Sequence, residues 1–216
     1  MIIFDCDGVL VDSEIISNQV DSDLFATIGY AISPEQMIRR FIGMTKRAIW
    51  EVVAREHGVP FPEALFAKAN AMIVQRYESD LRPVPGVANA VQAVGAARAV
   101  ASSSELPKLR LALQVTGLLP LFDPAVFSAS QVARGKPAPD VFLYAAAQCG
   151  SKAEQCIVVE DSPAGVQAGL AAGMRVIGFT GGAHSYPGHD ARLLAEGATV
   201  VIGHMDGLEA AVKGMG

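Results

Sequence analysis

No stretch of this 216-residue chain approaches the roughly 20 consecutive apolar residues that a membrane span requires. The first apolar run covers only the four residues before Asp5, too short for the apolar segment of a secretory signal. Basic residues are in the minority. Seventeen Lys and Arg stand against 22 Asp and Glu, a formal charge of −5, which gives no general attraction to nucleic acid or to an anionic membrane. Any anion must therefore be held by cations placed locally. Cysteine is scarce too: Cys6, Cys149 and Cys156 are odd in number and lack metal-type spacing, so reduced thiols in a cytoplasmic setting are expected. There is no internal repeat and no low-complexity segment. What the chain does have is apolar content, 51%, enough to fill one large core or a core plus a smaller insertion. A monomer is the default expectation.

One stretch concentrates chemistry. Asp5-Cys6-Asp7-Gly8-Val9-Leu10-Val11-Asp12-Ser13 follows Ile2-Ile3-Phe4, which reads as a short buried strand. Side chains two apart on extended backbone point the same way, so Asp5 and Asp7 can share one site. Two carboxylates so close repel unless a cation or shared proton offsets them, and Mg²⁺ suits hard oxygen donors. A solvated Asp-Gly turn is the plainer alternative.

Residues 13–82 read as helical throughout. Ile16, Val20, Leu24 and Ile28 mark one helix face that Gly29 ends, and Ser33-Pro34-Glu35-Gln36 is a capping box. Thr45 starts a helix stopping at Gly58, and another runs from about Pro62 to Leu81. Trp50 is expected to pack these helices together. Beyond the breaker cluster Pro83-Val84-Pro85-Gly86 the pattern changes. Helices near 87–94, 106–116, 140–148 and 164–172 and from about 206 alternate with short strands at 98–101, 125–127, 157–159, 175–179 and 200–202. That alternation predicts an α/β fold, a doubly wound parallel sheet whose strand ends meet at one edge.

The remaining candidates sit at those strand ends. Ser102 follows the strand Val100-Ala101 and suits a phosphate oxygen, or is an ordinary helix cap. Lys136 lies in a loop bounded by Pro137 and Pro139; it is a fixed point charge or a solvated surface lysine. Glu160 and Asp161 emerge from the strand 157–159 as metal-site acids, or as acids favoured by a helix N-terminus. Cys6 reads as buried structure. His57, His184, His189 and His204 lack paired spacing and are expected as surface or loop residues.

Taken in order, these stretches resemble the motifs of the haloacid dehalogenase-like hydrolases. Asp5-x-Asp7-Gly8-Val9-Leu10-Val11-Asp12-Ser13 is similar to the opening motif and Ala101-Ser102 to the second. Lys136-Pro137 resembles the third, and Glu160-Asp161-Ser162 with Gly165 and Ala168-Gly169 the fourth. Within the family the chain looks like the small phosphatases and β-phosphoglucomutases with a helical cap. The resemblance implies a Rossmann-like core from residues 1–12 and 83–216, with an all-α cap from 13–82. It implies Asp5 as nucleophile and Asp7 as general acid/base. It places Mg²⁺ on Asp5, the backbone carbonyl of Asp7 and Asp161, with Glu160 acting through metal-bound water. Ser102, Ser103 and Lys136 would take the phosphate. Gly43, Lys46 and Arg47, with Arg39 and Arg40 nearby, are the cap candidates for substrate, or part of a solvated helix face.

Mutases of this kind carry a histidine five residues beyond the position of Asp12, where Ser17 stands here. They carry a lysine before the cap-loop glycine, where this chain has Ile42, and an arginine at the position of Lys46. The expected activity is therefore hydrolysis of a small phosphorylated metabolite, a sugar phosphate or sugar-acid phosphate, through an aspartyl-phosphate. A sugar phosphomutase is the alternative. A phosphorylated receiver domain fits poorly, because it would have neither the helical insertion nor an acid/base at Asp7.

Overall fold

The computed structural model describes residues 1–41 and 44–215. Six strands, β1 (Ile2–Phe4), β2 (Arg98–Ser102), β3 (Val126–Ser128), β4 (Ile157–Glu160), β5 (Arg175–Phe179) and β6 (Val200–Ile202), form one sheet in the order β3-β2-β1-β4-β5-β6. Every pairing is parallel. The chain winds outward from β1 through β2 to β3, then returns to the other side of β1 for β4, β5 and β6. The order reverses between β1 and β4, and an open parallel sheet binds ligands in the crevice at such a point, outside the carboxyl ends of its strands.

Alternation of side chains along each strand gives the sheet two apolar faces. Ile2, Phe4, Val100, Val159 and Ile177 pack on one side with Val87, Leu109, Leu113 and Leu208. These come from α5 (Val87–Ala93), α6 (Leu106–Val115) and α11 (Leu208–Lys213). Ile3, Ala99, Ala101, Val158 and Val176 pack on the other with Val141, Phe142, Ala145 and Val166, from α8 (Asp140–Gln148) and α9 (Pro163–Ala171). Both faces are covered, so the strands are continuous apolar runs, as parallel strands must be.

Between β1 and β2 run four helices, α1 (Ser13–Thr27), α2 (Pro34–Phe41), α3 (Lys46–His57) and α4 (Glu63–Asp80). Their boundaries follow local chemistry. Ser33 and Gln36 cap α2 reciprocally, side chain to backbone. Thr45 accepts from the Ala48 N–H at the start of α3, and Gly58, at φ 79°, closes it. The outgoing and returning chains are tied together, Asp12 N–H to Arg82 C=O at 3.0 Å and Val84 N–H to Leu10 C=O at 2.9 Å. Trp50 is 3% exposed and sits among the rings of Phe25, Phe61 and Phe66, at 4.8, 5.5 and 5.2 Å between centroids.

Two short helices were not foreseen from the pattern, α7 (Leu119–Phe122) and α10 (His189–Ala195). Each spans two turns or fewer, too short to show a helical period. Cap candidate Gly43 and its neighbour Ile42 lie outside the described residues.

Because Trp50 joins three helices through one ring cluster, Trp50→Ala is expected to lower unfolding free energy by about 3 to 5 kcal/mol. Urea denaturation measures it, and a loss below about 1 kcal/mol would show that the cluster is not the core of this segment.

Candidate active site

The opening motif continues β1 by one residue. The Asp5 N–H donates to the Val159 carbonyl at 2.9 Å, which places the Asp5 side chain at the crevice. The chain then coils tightly, with Leu10 and Val11 N–H groups both donating to the Cys6 carbonyl. Gly8 adopts φ 82° there, and a Cβ on it would lie 2.1 Å from Asp161 Oδ2. Only glycine fits, in conformation and in space. Cys6 is buried, which raises its thiol pKa well above the ordinary range.

Lys136 is the hub of the site. Its side chain is 4% exposed, and Nζ donates to Asp5 Oδ1 at 2.5 Å, to Glu160 Oε1 at 2.7 Å and to the Ala101 carbonyl at 3.0 Å. It lies 4.8 Å from the ring centre of Phe142. One ammonium thus joins the carboxyl ends of β1, β2 and β4. Burial opposes its charge, but Asp5 and Glu160 more than compensate and move its pKa above the usual lysine range. The second oxygen of Glu160 accepts from the N–H and hydroxyl of Ser162, each at 2.9 Å. Ser162 also caps α9 by accepting from the Gly165 N–H.

Negative charge exceeds what Lys136 can balance. The Asp5 pKa stands well above the carboxylate range, first because of burial and then, against the pull of Lys136, because Glu160, Asp161 and Asp7 crowd it. Glu160 is raised as well, by burial above all.

Asp7 is in a different setting. Its Oδ1 accepts from Ser13 at 2.6 Å, and its Oδ2 from Ser104 at 2.7 Å and Ser102 at 3.2 Å. Burial alone would raise its pKa, but Lys108 and the three hydroxyls outweigh it and hold Asp7 below the ordinary range. Two aspartates two residues apart are therefore pushed in opposite directions. That separation is how neighbouring groups acquire different acid–base roles.

Asp161 Oδ2 lies 2.8 Å from His184 Nε2, and its backbone carbonyl is 2.7 Å from His189 Nε2. Both histidines are buried rather than at the surface; His184 lies in a loop, as expected, and His189 opens α10. Burial opposes charge on His184, but Asp161, Glu14 and Asp12 together push its pKa up to about 9.

The structure thus gathers Asp5, Asp7, Ser102, Lys136, Glu160 and Asp161 at one sheet edge. Ser103 is exposed, and it is Ser104 that reaches Asp7. Lys46 is ion-paired with the buried Asp21 of α1. Arg47 is half-exposed, paired through two hydrogen bonds with Glu63 at 2.7 and 2.8 Å. Arg39 and Arg40 are exposed, and Arg40 pairs with Glu56. Sequence reasoning passed over Ser13, Ser104, Lys108 and His184. A readable signal existed for His184: Gly181-Gly182, one residue beyond strand β5, marks backbone in close approach, and a Cβ on Gly182 would sit 2.6 Å from the Gly8 carbonyl.

A doubly wound parallel sheet with acids gathered on one lysine at its switch point defines a class of α/β enzymes. The model of the haloacid dehalogenase-like hydrolase family matches residues 2–179, and the chain belongs to that family. It is 32% identical over 187 residues to the 6-phosphogluconate phosphatase of Escherichia coli K12, covering 86% of this chain and 85% of that protein. The crystal structure of a conserved haloacid dehalogenase-like protein from Agrobacterium tumefaciens C58 is 44% identical with a TM-score of 0.91, over 99% of this chain and 97% of that one. A hydrolase of the same family from Deinococcus radiodurans R1, solved with bound phosphate and sodium, is 34% identical with a TM-score of 0.80, over 99% and 94%. The chain is accordingly a hydrolase of this family, and its named relatives include phosphatases.

Gly165 provides a sharp test of the Glu160 position. A Cβ there would lie 1.8 Å from Glu160 Oε1, although helix propensity alone favours alanine over glycine by about 1 kcal/mol. Gly165→Ala is expected to destabilise the protein by about 1 to 3 kcal/mol and to cut turnover by displacing Glu160 from Lys136. A stabilised variant with intact turnover would contradict this geometry.

Proposed function

We propose that this chain is a Mg²⁺-dependent phosphatase of a small phosphorylated sugar, polyol or sugar acid, working through an aspartyl-phosphate on Asp5. The observation that carries the reading is the contrast between two neighbouring carboxylates, Asp5 in the grip of Lys136 and Asp7 held by three hydroxyls. The 6-phosphogluconate phosphatase of Escherichia coli supports the substrate class.

The donor set suits the metal. Asp5 and Asp161, with the backbone carbonyl of Asp7, offer hard oxygen ligands, and a cation there would offset both causes of the raised Asp5 pKa, burial first and then the crowding of Glu160, Asp161 and Asp7. Among the described residues no three His, Cys, Asp or Glu side chains are grouped so as to hold a metal ion, so the two carboxylates and the carbonyl would need water to complete the shell. When bound, Mg²⁺ supplies charge neutralisation for Asp5 and the phosphoryl oxygens.

The remaining work falls to the side chains. Asp5 attacks phosphorus in line; the bond from phosphorus to the ester oxygen breaks as the aspartyl bond forms. Lys136 and Ser102 stand against the transferring oxygens and stabilise the charge that develops. A phosphate dianion beside Asp7 raises its proton affinity, so it can carry the proton that the departing oxygen needs. Asp7 then takes a proton from the water that attacks the phosphorus of the aspartyl-phosphate, restoring Asp5 and releasing phosphate. Residues 13–82 act as a cap domain over the 1–12 and 83–216 core. They exclude bulk water and supply specificity. No helix among the described residues is long and apolar enough to cross a membrane, and we place the enzyme in the cytoplasm as a monomer.

Asp5→Asn keeps the shape but not the nucleophile, and turnover of any phosphate monoester is expected to fall below about one-hundredth of wild type. A purified variant above that level would remove Asp5 from the role. Metal titration separates the two acids at the end of β4. Asp161→Ala should weaken Mg²⁺ binding and rate together, whereas Glu160→Gln, acting from behind the ligands, should weaken them less. Equal losses with unaltered metal affinity would contradict the assignment.

A further inference from the structure

Lys108 is a cation that the phosphoryl chemistry leaves without a partner. It is half-buried on the first turn of α6, with Nζ 5.3 Å from the ring centre of Tyr77 on α4. It therefore stands where the sheet-bound helices meet the helical segment. Among the described residues it makes no ion pair, and the Tyr77 hydroxyl is the one neutral group that helps hold its charge. The other cations here are committed, Lys136 to Asp5 and Glu160 and Lys46 to Asp21. Burial works against the Lys108 charge, yet Tyr77, Asp7 and Glu14 more than offset it, so the ammonium persists.

Tyr77 adds an independent observation. It is 1% exposed, and its hydroxyl has no hydrogen-bond partner. A buried hydroxyl left unpaired costs about 1 to 3 kcal/mol, and native proteins rarely leave one without a reason. Packing does not require it, since phenylalanine would fill the same space. Beside an unpaired ammonium, the hydroxyl makes a two-donor corner between α4 and α6. Lys108 is also the largest influence lowering the Asp7 pKa, so this corner borders the residue that serves the leaving oxygen. On the proposed mechanism the non-phosphorylated part of a substrate departs with that oxygen.

We propose that Lys108 Nζ and the Tyr77 hydroxyl form a subsite for a carboxylate at the non-phosphorylated end of the substrate, which selects phosphorylated hydroxy acids over neutral sugar phosphates. The proposal rests on the phosphatase reading and narrows it. One ammonium and one phenol match the two oxygens of a carboxylate. A second phosphate is the poorer fit, because Asp7 and Glu14 border the corner and would repel a dianion. A site built to pair a polar group rejects the analogue lacking it, since its own buried donors are then stranded.

The experiment compares phosphate release from gluconate 6-phosphate, glucitol 6-phosphate and p-nitrophenyl phosphate. For the wild type, kcat/KM on the aldonate should exceed that on the alditol by about 10- to 100-fold, the equivalent of one charge-assisted hydrogen bond. Lys108→Gln should bring that ratio to within about threefold of unity, chiefly by raising KM for the aldonate. Tyr77→Phe, a milder change, should shrink the ratio about three- to tenfold and keeps the test open if Lys108→Gln does not fold. Equal wild-type use of the two sugar derivatives, or a Lys108→Gln loss that leaves their ratio unchanged, would overturn the subsite alone. A wild type that cleaves p-nitrophenyl phosphate but neither sugar derivative would overturn the substrate class and the subsite together.

Discussion

Everything at the sheet edge depends on one buried ammonium. Lys136 is bonded to Asp5 after β1, to Glu160 at the end of β4 and to the Ala101 carbonyl in β2, so it pins three adjacent strand ends. Removing a buried charge from water is costly, and an ion pair repays the cost only with good geometry and no stranded partner. The site meets that condition for Glu160, whose other oxygen is satisfied by Ser162. It does not meet it for Asp5, which stays crowded by acids. Strain of this electrostatic kind is retained where a reaction uses it, and a destabilised carboxylate ion is a reactive one.

Asp7 shows the complementary arrangement. Three hydroxyls from separate places converge on it: Ser102 at the end of β2, Ser104 just after it, and Ser13 at the first position of α1. The last of these belongs to the helical segment, so the position of that segment and the environment of Asp7 are mechanically joined. The paired backbone at Asp12–Arg82 and Leu10–Val84 lies immediately behind this contact. Any displacement of the four helices about those two crossings would alter the hydrogen bonding of Asp7 first.

The sheet was legible because its strands are apolar runs separated by helical periodicity, and the acids were legible because they follow those runs directly. Asp5 and Glu160 need only their strand's direction to be placed, and Lys136 needs only the order of motifs. What the sequence concealed depends on three-dimensional approach. Ser104 looks no different from Ser103 in a run of three serines, yet one reaches Asp7 and the other faces water. His184 stands 23 residues from Asp161 in a glycine-rich loop, and only the narrow space beside Gly8 and Gly182 brings it within 2.8 Å. Lys108 sits on a helix whose pattern says nothing of α4 across the seam. Charged residues on the four helices between β1 and β2 were legible as charges but not as partners, and Lys46 turns out to answer Asp21.

The central claim is that Asp5, released from acid crowding, becomes covalently attached to phosphorus. It is tested most directly by quenching the enzyme in acid during turnover, reducing with borohydride and mapping the peptides by mass spectrometry. An aspartyl-phosphate is a mixed anhydride that borohydride reduces to the alcohol, so a phosphorylated aspartate is read as homoserine. The account predicts homoserine at position 5, present only when substrate was being turned over. Homoserine at Asp7 or Asp161 instead, or none at position 5 under conditions of rapid turnover, would contradict it.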